Sequence, residues 1–220
     1  MNTIRVWDLP TRVFHWGLAV CVTGLVVTGK IGGEAMVWHF RLGYTVMSLL
    51  LFRLVWGFIG GHWSRFLVFI KGPVGVWHYL AGRSSTSSSV GHNPLGALSV
   101  LALLGFVLLQ VATGLISDDE IATTGPLAKL APGTWVGTAT YYHNAIGQYV
   151  LYALVGLHLV AMVFYHFVRK EKLVPAMWHG DKELAEPHTS ARDNGAARFL
   201  ALGAFVVCGG LVAGLIQWAG

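Results

Sequence analysis

Four histidines, His15, His39, His143 and His158, lie on apolar segments long enough to cross a membrane. A titratable imidazole inside a bilayer is costly and is usually retained for chemistry. His143 and His158 share one hydrophobic stretch, fifteen positions apart, which is roughly 22 Å at about 1.5 Å of helical rise per residue. A hydrocarbon core is about 30 Å thick, so one of the two lies near each face. His39 opens a second apolar segment and His15 lies near the start of a third. Each depth can therefore draw a second ring from a neighbouring helix. Two imidazoles meeting across a helical bundle are what an iron porphyrin requires for ligation on both faces. The pattern points to a membrane electron carrier with two haems.

The rest of the chain must supply the elements that hold these rings. With 55% hydrophobic and 11% charged residues, the 220-residue chain is too apolar for an ordinary soluble domain. Five segments, at 13–30, 37–60, 95–117, 141–168 and 196–219, are long and apolar enough to span. The expected fold class is an all-α membrane protein. It comprises a four-helix transmembrane haem-binding bundle within residues 1–180, a cytoplasmic linker at 181–195 and an additional transmembrane helix within 196–220. That fifth span carries Gly203, Gly209, Gly210 and Gly214 and no histidine, and could pack on the bundle or on another subunit of a homo-oligomer. No basic leader, apolar centre and small-residue cleavage site occur together, so the first span is expected to be retained. No internal repeat is convincing.

Cys21 and Cys208 fall in different spans, and Cys-x-x-Cys-His is absent. That excludes covalent haem attachment, iron–sulfur and zinc-thiolate sites, leaving the two thiols as small buried groups. The net charge of +5 implies no nucleic acid, because the membrane itself explains where the basic residues fall. Arg5 and Arg12 precede the first span; Arg65, Lys71 and Arg83 join the second to the third; Arg169, Lys170, Lys172, Lys182, Arg192 and Arg198 follow the fourth. The other connections hold only Lys30 and Lys129, with Arg41 just inside a span. By the positive-inside rule the N-terminus is cytoplasmic and the C-terminus lies outside.

Between the second and third spans, 66–82 is too short and too interrupted by Gly72, Pro73 and Gly75 to cross, and reads as an interfacial segment. Ser84 to Ser89 read as a flexible link to the third span, whose start Asn93 and Pro94 mark. An outer loop at 117–140 carries Asp118, Asp119 and Glu120.

With the N-terminus inside, depth pairs His15 with His158 at an inner haem and His39 with His143 at an outer one. The competing reading is that some of these rings hydrogen-bond a neighbour or snorkel to the interface. Fifteen α-helical steps return to within about 60° of the starting direction, a residue that supercoiling or a π-bulge could absorb. Arg53 lies fourteen positions beyond His39, roughly 21 Å along the helix and at the inner depth. There it could pair with haem propionates through its fork or snorkel to the interface. Arg12 could serve the same haem and Arg41 the outer one, or both could be topology charges. His92 could contact a quinone or a propionate, or help start the third span. His166 reads as interfacial; His62, His78, His179 and His188 read as solvated.

The stretches VWDLPTRVFHWGLAV, HFRLGYTVMSLLLFRLVWGF, GHNPLGAL and HNAIGQYVLYALVGLHLVAMVFYHF together resemble the bacterial cytochrome b-561 family of di-haem b-type cytochromes, which includes the membrane cytochrome subunit of nickel–iron hydrogenases. The resemblance covers about residues 5–180. It implies a four-helix core in the bacterial cytoplasmic membrane with two b haems, and the ligands it carries over are His15, His39, His143 and His158. Asn144 stands where many relatives have Glu, and the spacing within the fourth helix is one residue longer than in many of them.

Two bis-histidine haems leave no open iron position, which favours electron transfer over oxygen activation. The expected activity is transfer between a periplasmic redox partner, a c-type cytochrome or hydrogenase-like subunit, and the quinone pool. The acidic outer loop would dock that partner. A second expectation is a superoxide:quinone oxidoreductase; it fits less well, since an anionic substrate favours a basic funnel and the outer surface has few cations. A third is a haem-free membrane anchor or assembly factor.

Overall fold

The computed structural model describes residues 2–83, 90–121 and 123–219. The expected Ser84–Ser89 link falls outside the described residues. Nine α-helices carry most of the described chain: α1 (Leu9–Ile31), α2 (Met36–Ile59), α3 (Phe66–Phe69), α4 (Gly72–Leu80), α5 (Pro94–Leu115), α6 (Gly133–Tyr141), α7 (Gln148–Phe167), α8 (Leu173–His179) and α9 (Gly195–Ala219). Five stretches are long and apolar enough to cross a membrane: Leu9–Ile31, Gly33–Ile59, Pro94–Leu115, Gly133–Phe167 and Gly195–Ala219. Their outward faces keep Val20, Phe58, Leu157, Val160 and Phe199 exposed, the arrangement of helices whose solvent is lipid.

The fourth span starts at Gly133, earlier than the apolar run from 141 predicts. Pro132 opens it, and GTWVGTATY is too rich in Gly and Thr to register as strongly apolar. Between α6 and α7 the helix passes through a π-helical turn, Tyr142–Gly147, which contains His143. An i→i+5 turn winds fewer degrees per residue than an α-helix, the sense needed to reduce the 60° residue left by fifteen α-helical steps.

The chain forms two compact units: Met1–His15, Phe52–Ala102 and Gly156–Ala204 make the first, and Trp16–Leu51, Leu103–Val155 and Phe205–Gly220 the second. In the first, β1 (Asn2–Arg5) pairs antiparallel with β2 (Asp181–Leu184), Arg5 opposite Asp181. Ile4, Val6, Trp7, Val90 and Ala176 are buried together beside it. Gly180 makes the turn from α8 into β2. Its φ of 93° suits glycine, and its carbonyl accepts from Val6 and Trp7 N–H at 2.8 and 3.0 Å.

The stretch 181–195 is therefore more than the linker its polar composition suggests. Ala191 N–H donates to Arg5 O, Trp63 Nε1 to Thr189 O, and Asp193 accepts from Arg5 at 2.8 Å and Arg198 at 3.0 Å, with Arg12 at 3.9 Å. Partial burial works to raise the Asp193 pKa, yet the hydrogen bonds from Arg198 and Leu9 N–H and the charges of Arg198 and Arg5 hold it below its usual value. A carboxyl held low in the fold contributes stability above its unfolded pKa, which is lost as pH falls through the folded value. Thermal midpoints measured in detergent should accordingly fall more steeply below about pH 4 for wild type than for Asp193→Asn. Parallel curves would show that Asp193 holds nothing.

Candidate functional site

The first unit is organised around the start of α1. Asp8 caps that helix, its Oδ1 accepting Thr11 N–H at 2.8 Å. The same carboxylate accepts Trp56 Nε1–H at 3.1 Å, and Gly61 N–H and Ser64 Oγ–H at 3.0 Å each. Asp8 is wholly buried, so these four donors replace its water. They tie the end of α2 to the start of α1, about two helical turns before His15. The sequence reading passed over Asp8; the signal was Asp8-Leu9-Pro10, an N-cap with proline inside the first turn.

His15 and His158 face each other with ring centres 6.4 Å apart and planes inclined at 52°. Arg53, 3% exposed, donates Nη2–H to Ser64 O at 3.0 Å and lies 4.7 Å above the Phe66 ring. Arg12 donates to Trp178 O at 2.7 Å. His92 does not start α5. Asn93 does, accepting Gly96 N–H at 2.7 Å, while the His92 ring packs 4.6 Å from both Trp7 and Phe69. Burial pushes the His92 pKa down to about 3, with Arg53, His15 and His158 adding to the shift. Among the described residues, Arg53 Nη1, Arg12 Nε and His92 Nδ1 are buried without a hydrogen-bond partner.

The second unit contains a cavity of about 930 Å³, with His39 and His143 on its wall. Their ring centres are 6.2 Å apart and their planes almost perpendicular, at 84°. His39 Nδ1 lies 3.0 Å from Leu25 O and 3.2 Å from Thr28 Oγ1. His143 Nδ1 lies 2.9 Å from Gln110 O and 3.4 Å from Thr113 Oγ1. A carbonyl only accepts, so Nδ1 carries the proton and Nε2 the free lone pair at both rings. Arg41 is not on the cavity wall. Its guanidinium lies 5.0 Å from the Trp38 ring, while Lys30 lines the cavity and donates to Gln148 Oε1 at 2.8 Å. Gln110, the one amide side chain in the apolar α5, is a further residue that the sequence alone does not single out.

These residues fit a haem. A metal–imidazole bond of about 2 Å, with about 1 Å more to each ring centre, places two axial imidazoles about 6 Å centre to centre. Both pairs have that spacing. The cavity lies toward the upper end of the roughly 300–1,000 Å³ range of ligand cavities. In the first unit the unpartnered guanidinium N–H groups of Arg53 and Arg12 are what two propionates would satisfy.

Residues 6–180 match the family described as prokaryotic cytochrome b561. The chain belongs to that family. As a cytochrome b561 it is a multi-pass bacterial membrane protein and a b-type cytochrome, an electron carrier built on haem b. It is 28% identical over 217 residues to a probable Ni/Fe-hydrogenase B-type cytochrome subunit of Azotobacter chroococcum mcd 1, covering 81% of this chain and 88% of that one. The probable Ni/Fe-hydrogenase 1 B-type cytochrome subunit of Escherichia coli (strain K12) is 31% identical over 134 residues, 48% of this chain and 55% of that one. A Cupriavidus necator relative named as a probable Ni/Fe-hydrogenase B-type cytochrome subunit is 27% identical over 211 residues, 80% and 85% of the two chains. No solved structure matches the chain.

Proposed function

We propose that this cytochrome b561 holds two b haems, one between His15 and His158 and one between His39 and His143. It would carry electrons across the cytoplasmic membrane between a periplasmic redox protein and the quinone pool. The observation that carries the reading is the spacing of the two imidazole pairs, 6.4 and 6.2 Å between ring centres. Haem b supplies a one-electron ferric/ferrous couple when bound. The chain's own part is to present Nε2 of each ring, to hold Nδ1–H on a carbonyl at His39 and His143, and to offer Arg53 and Arg12 to the propionates. An imidazole on each face would leave no coordination position for oxygen, and the few cations among the outer connections favour a carrier over an oxidase acting on anionic superoxide.

The hydrogenase subunits among the relatives make a hydrogenase-like protein the preferred partner, with a c-type cytochrome as the alternative. Purified protein should contain two haems per chain by pyridine haemochrome and show a low-spin b-type reduced-minus-oxidised spectrum; one haem per chain would refute the reading.

The acidic connection after α5 is the expected docking element. Asp118 Oδ1 accepts Glu120 N–H at 2.8 Å, and Asp119 Oδ1 accepts Ile121 and Thr123 N–H at 3.0 and 2.8 Å. The two carboxylates shape the turn as well as charging it. Asn at both positions keeps an acceptor oxygen while removing charge. Replacing Asp118 and Asp119 with Asn and Glu120 with Gln should slow electron entry from a basic donor several-fold at low salt and flatten its salt dependence. Stopped-flow haem reduction checks this, and unchanged rates at low salt would remove the loop from docking.

A further inference from the structure

The two imidazoles of the second unit are held in the same way by two different helices. On α1 the segment is Leu25-Val26-Val27-Thr28-Gly29, and on α5 it is Gln110-Val111-Ala112-Thr113-Gly114. In each, the first residue's carbonyl takes the histidine Nδ1–H, at 3.0 and 2.9 Å. Three residues on, the threonine Oγ1 bonds back into its own helix, to Gly24 O at 2.7 Å and to Leu109 O at 2.8 Å. Its lone pairs then face the same Nδ1, at 3.2 and 3.4 Å. Four residues on, glycine leaves the space that the ring occupies: a Cβ at Gly29 would stand 3.2 Å from His39 Cε1, and one at Gly114 2.7 Å from His143 Cε1. The two segments thus make the same three contacts with two different rings. They share only their Val, Thr and Gly positions, too little to register as a repeat in the sequence.

We infer that Leu25–Gly29 and Gln110–Gly114 are a duplicated imidazole cradle that fixes the His39 and His143 planes nearly at right angles, and so sets the electronic character of the iron they share. The inference rests on the ligation proposed above. A ring free to turn about Cβ–Cγ would take whatever plane packing allowed. A carbonyl and a hydroxyl on Nδ1, with the ring edge pressed on glycine, leave one orientation. Gln110 adds a second hold, its Nε2–H donating at 2.9 Å to His143 O within the π-helical turn, where the ordinary i→i+4 ladder is broken.

Perpendicular imidazole planes donate π density into different iron d orbitals. Those orbitals stay nearly degenerate, and the ferric low-spin signal becomes strongly anisotropic. Parallel planes raise one orbital only and give a rhombic signal. Hydrogen bonds to Nδ1–H also raise the basicity of the ligand and favour ferric iron. Thr28 and Thr113 are positioning residues in this scheme, acting through the histidines.

The test uses full-length protein in detergent, with haem count, electron paramagnetic resonance and potentiometric titration as readouts. Wild type should show one large-gmax low-spin signal. Gly114→Ala should convert it to a more rhombic one with two haems retained. Thr113→Val and Thr28→Val should each raise the midpoint of that haem alone, and Gly203→Ala, where a Cβ meets nothing within 4 Å, should change nothing. Should Gly114→Ala lose its haem, the threonine variants still decide. Two haems with wild-type spectra and midpoints in all the cradle variants would overturn the cradle and leave the ligation standing. Retention of two haems by both His39→Ala and His143→Ala would overturn the ligation itself.

Discussion

Replacing His15 or His143 with alanine is expected to leave purified protein with one haem per chain instead of two, each variant losing a different one. The two imidazole pairs belong to different compact units, so removing one ring takes one of two axial bonds from a single site and leaves the other site's partners in place. Even a hydrogen-bond partner of a metal-binding histidine typically contributes about 10–100-fold in affinity, so loss of the ligand itself should empty the site. Difference spectra should lose about half their α-band amplitude, and redox titration should collapse from two components to one. The single-component titration curves of the two variants should sum to the wild-type curve. Two haems remaining after His143→Ala would mean another side chain grips that iron. Loss of both haems in either variant would mean the sites are not independent.

The second large effect is expected at a residue that touches no cofactor. Asp8→Ala should destabilise the loaded protein by about 3–5 kcal/mol, the cost of breaking a buried charged network from one side. Thr11 N–H, Trp56 Nε1–H, Gly61 N–H and Ser64 Oγ–H all point at its two oxygens, and the carboxylate they share is wholly buried. The nearby guanidinium of Arg53 would lose its negative neighbour. A thermal midpoint lowered by on the order of 10 °C, followed by Soret absorbance in detergent, is the expected reading. Asp8→Asn should fall between, keeping one acceptor oxygen while turning a donor toward donors. Gly61→Ala should resemble Asp8→Ala, since its Cβ would collide with Asp8 Oδ2. A midpoint for Asp8→Ala within 2–3 °C of wild type, a range worth only about 1 kcal/mol in a chain of this size, would show that the network contributes little.

The sequence by itself determined the five spans and the four histidines. Both follow from desolvation cost, which each residue carries wherever its neighbours are: an apolar run must leave water, and a histidine within one must have a reason to be there. Depth along a helix follows from a fixed rise, which is why depth alone pairs His15 with His158 and His39 with His143. What holds those rings could not be read the same way. Gln110 meets His143 across 33 positions, Asp8 meets Ser64 across 56, and Arg5 meets Asp193 across 188. Only the tertiary structure put Lys30 rather than Arg41 on the cavity wall, docked the polar stretch 181–195 on the first strand, and revealed the cradles on α1 and α5. A hydrogen bond depends on direction as well as burial, and the direction of a side chain is set by packing that no local pattern encodes.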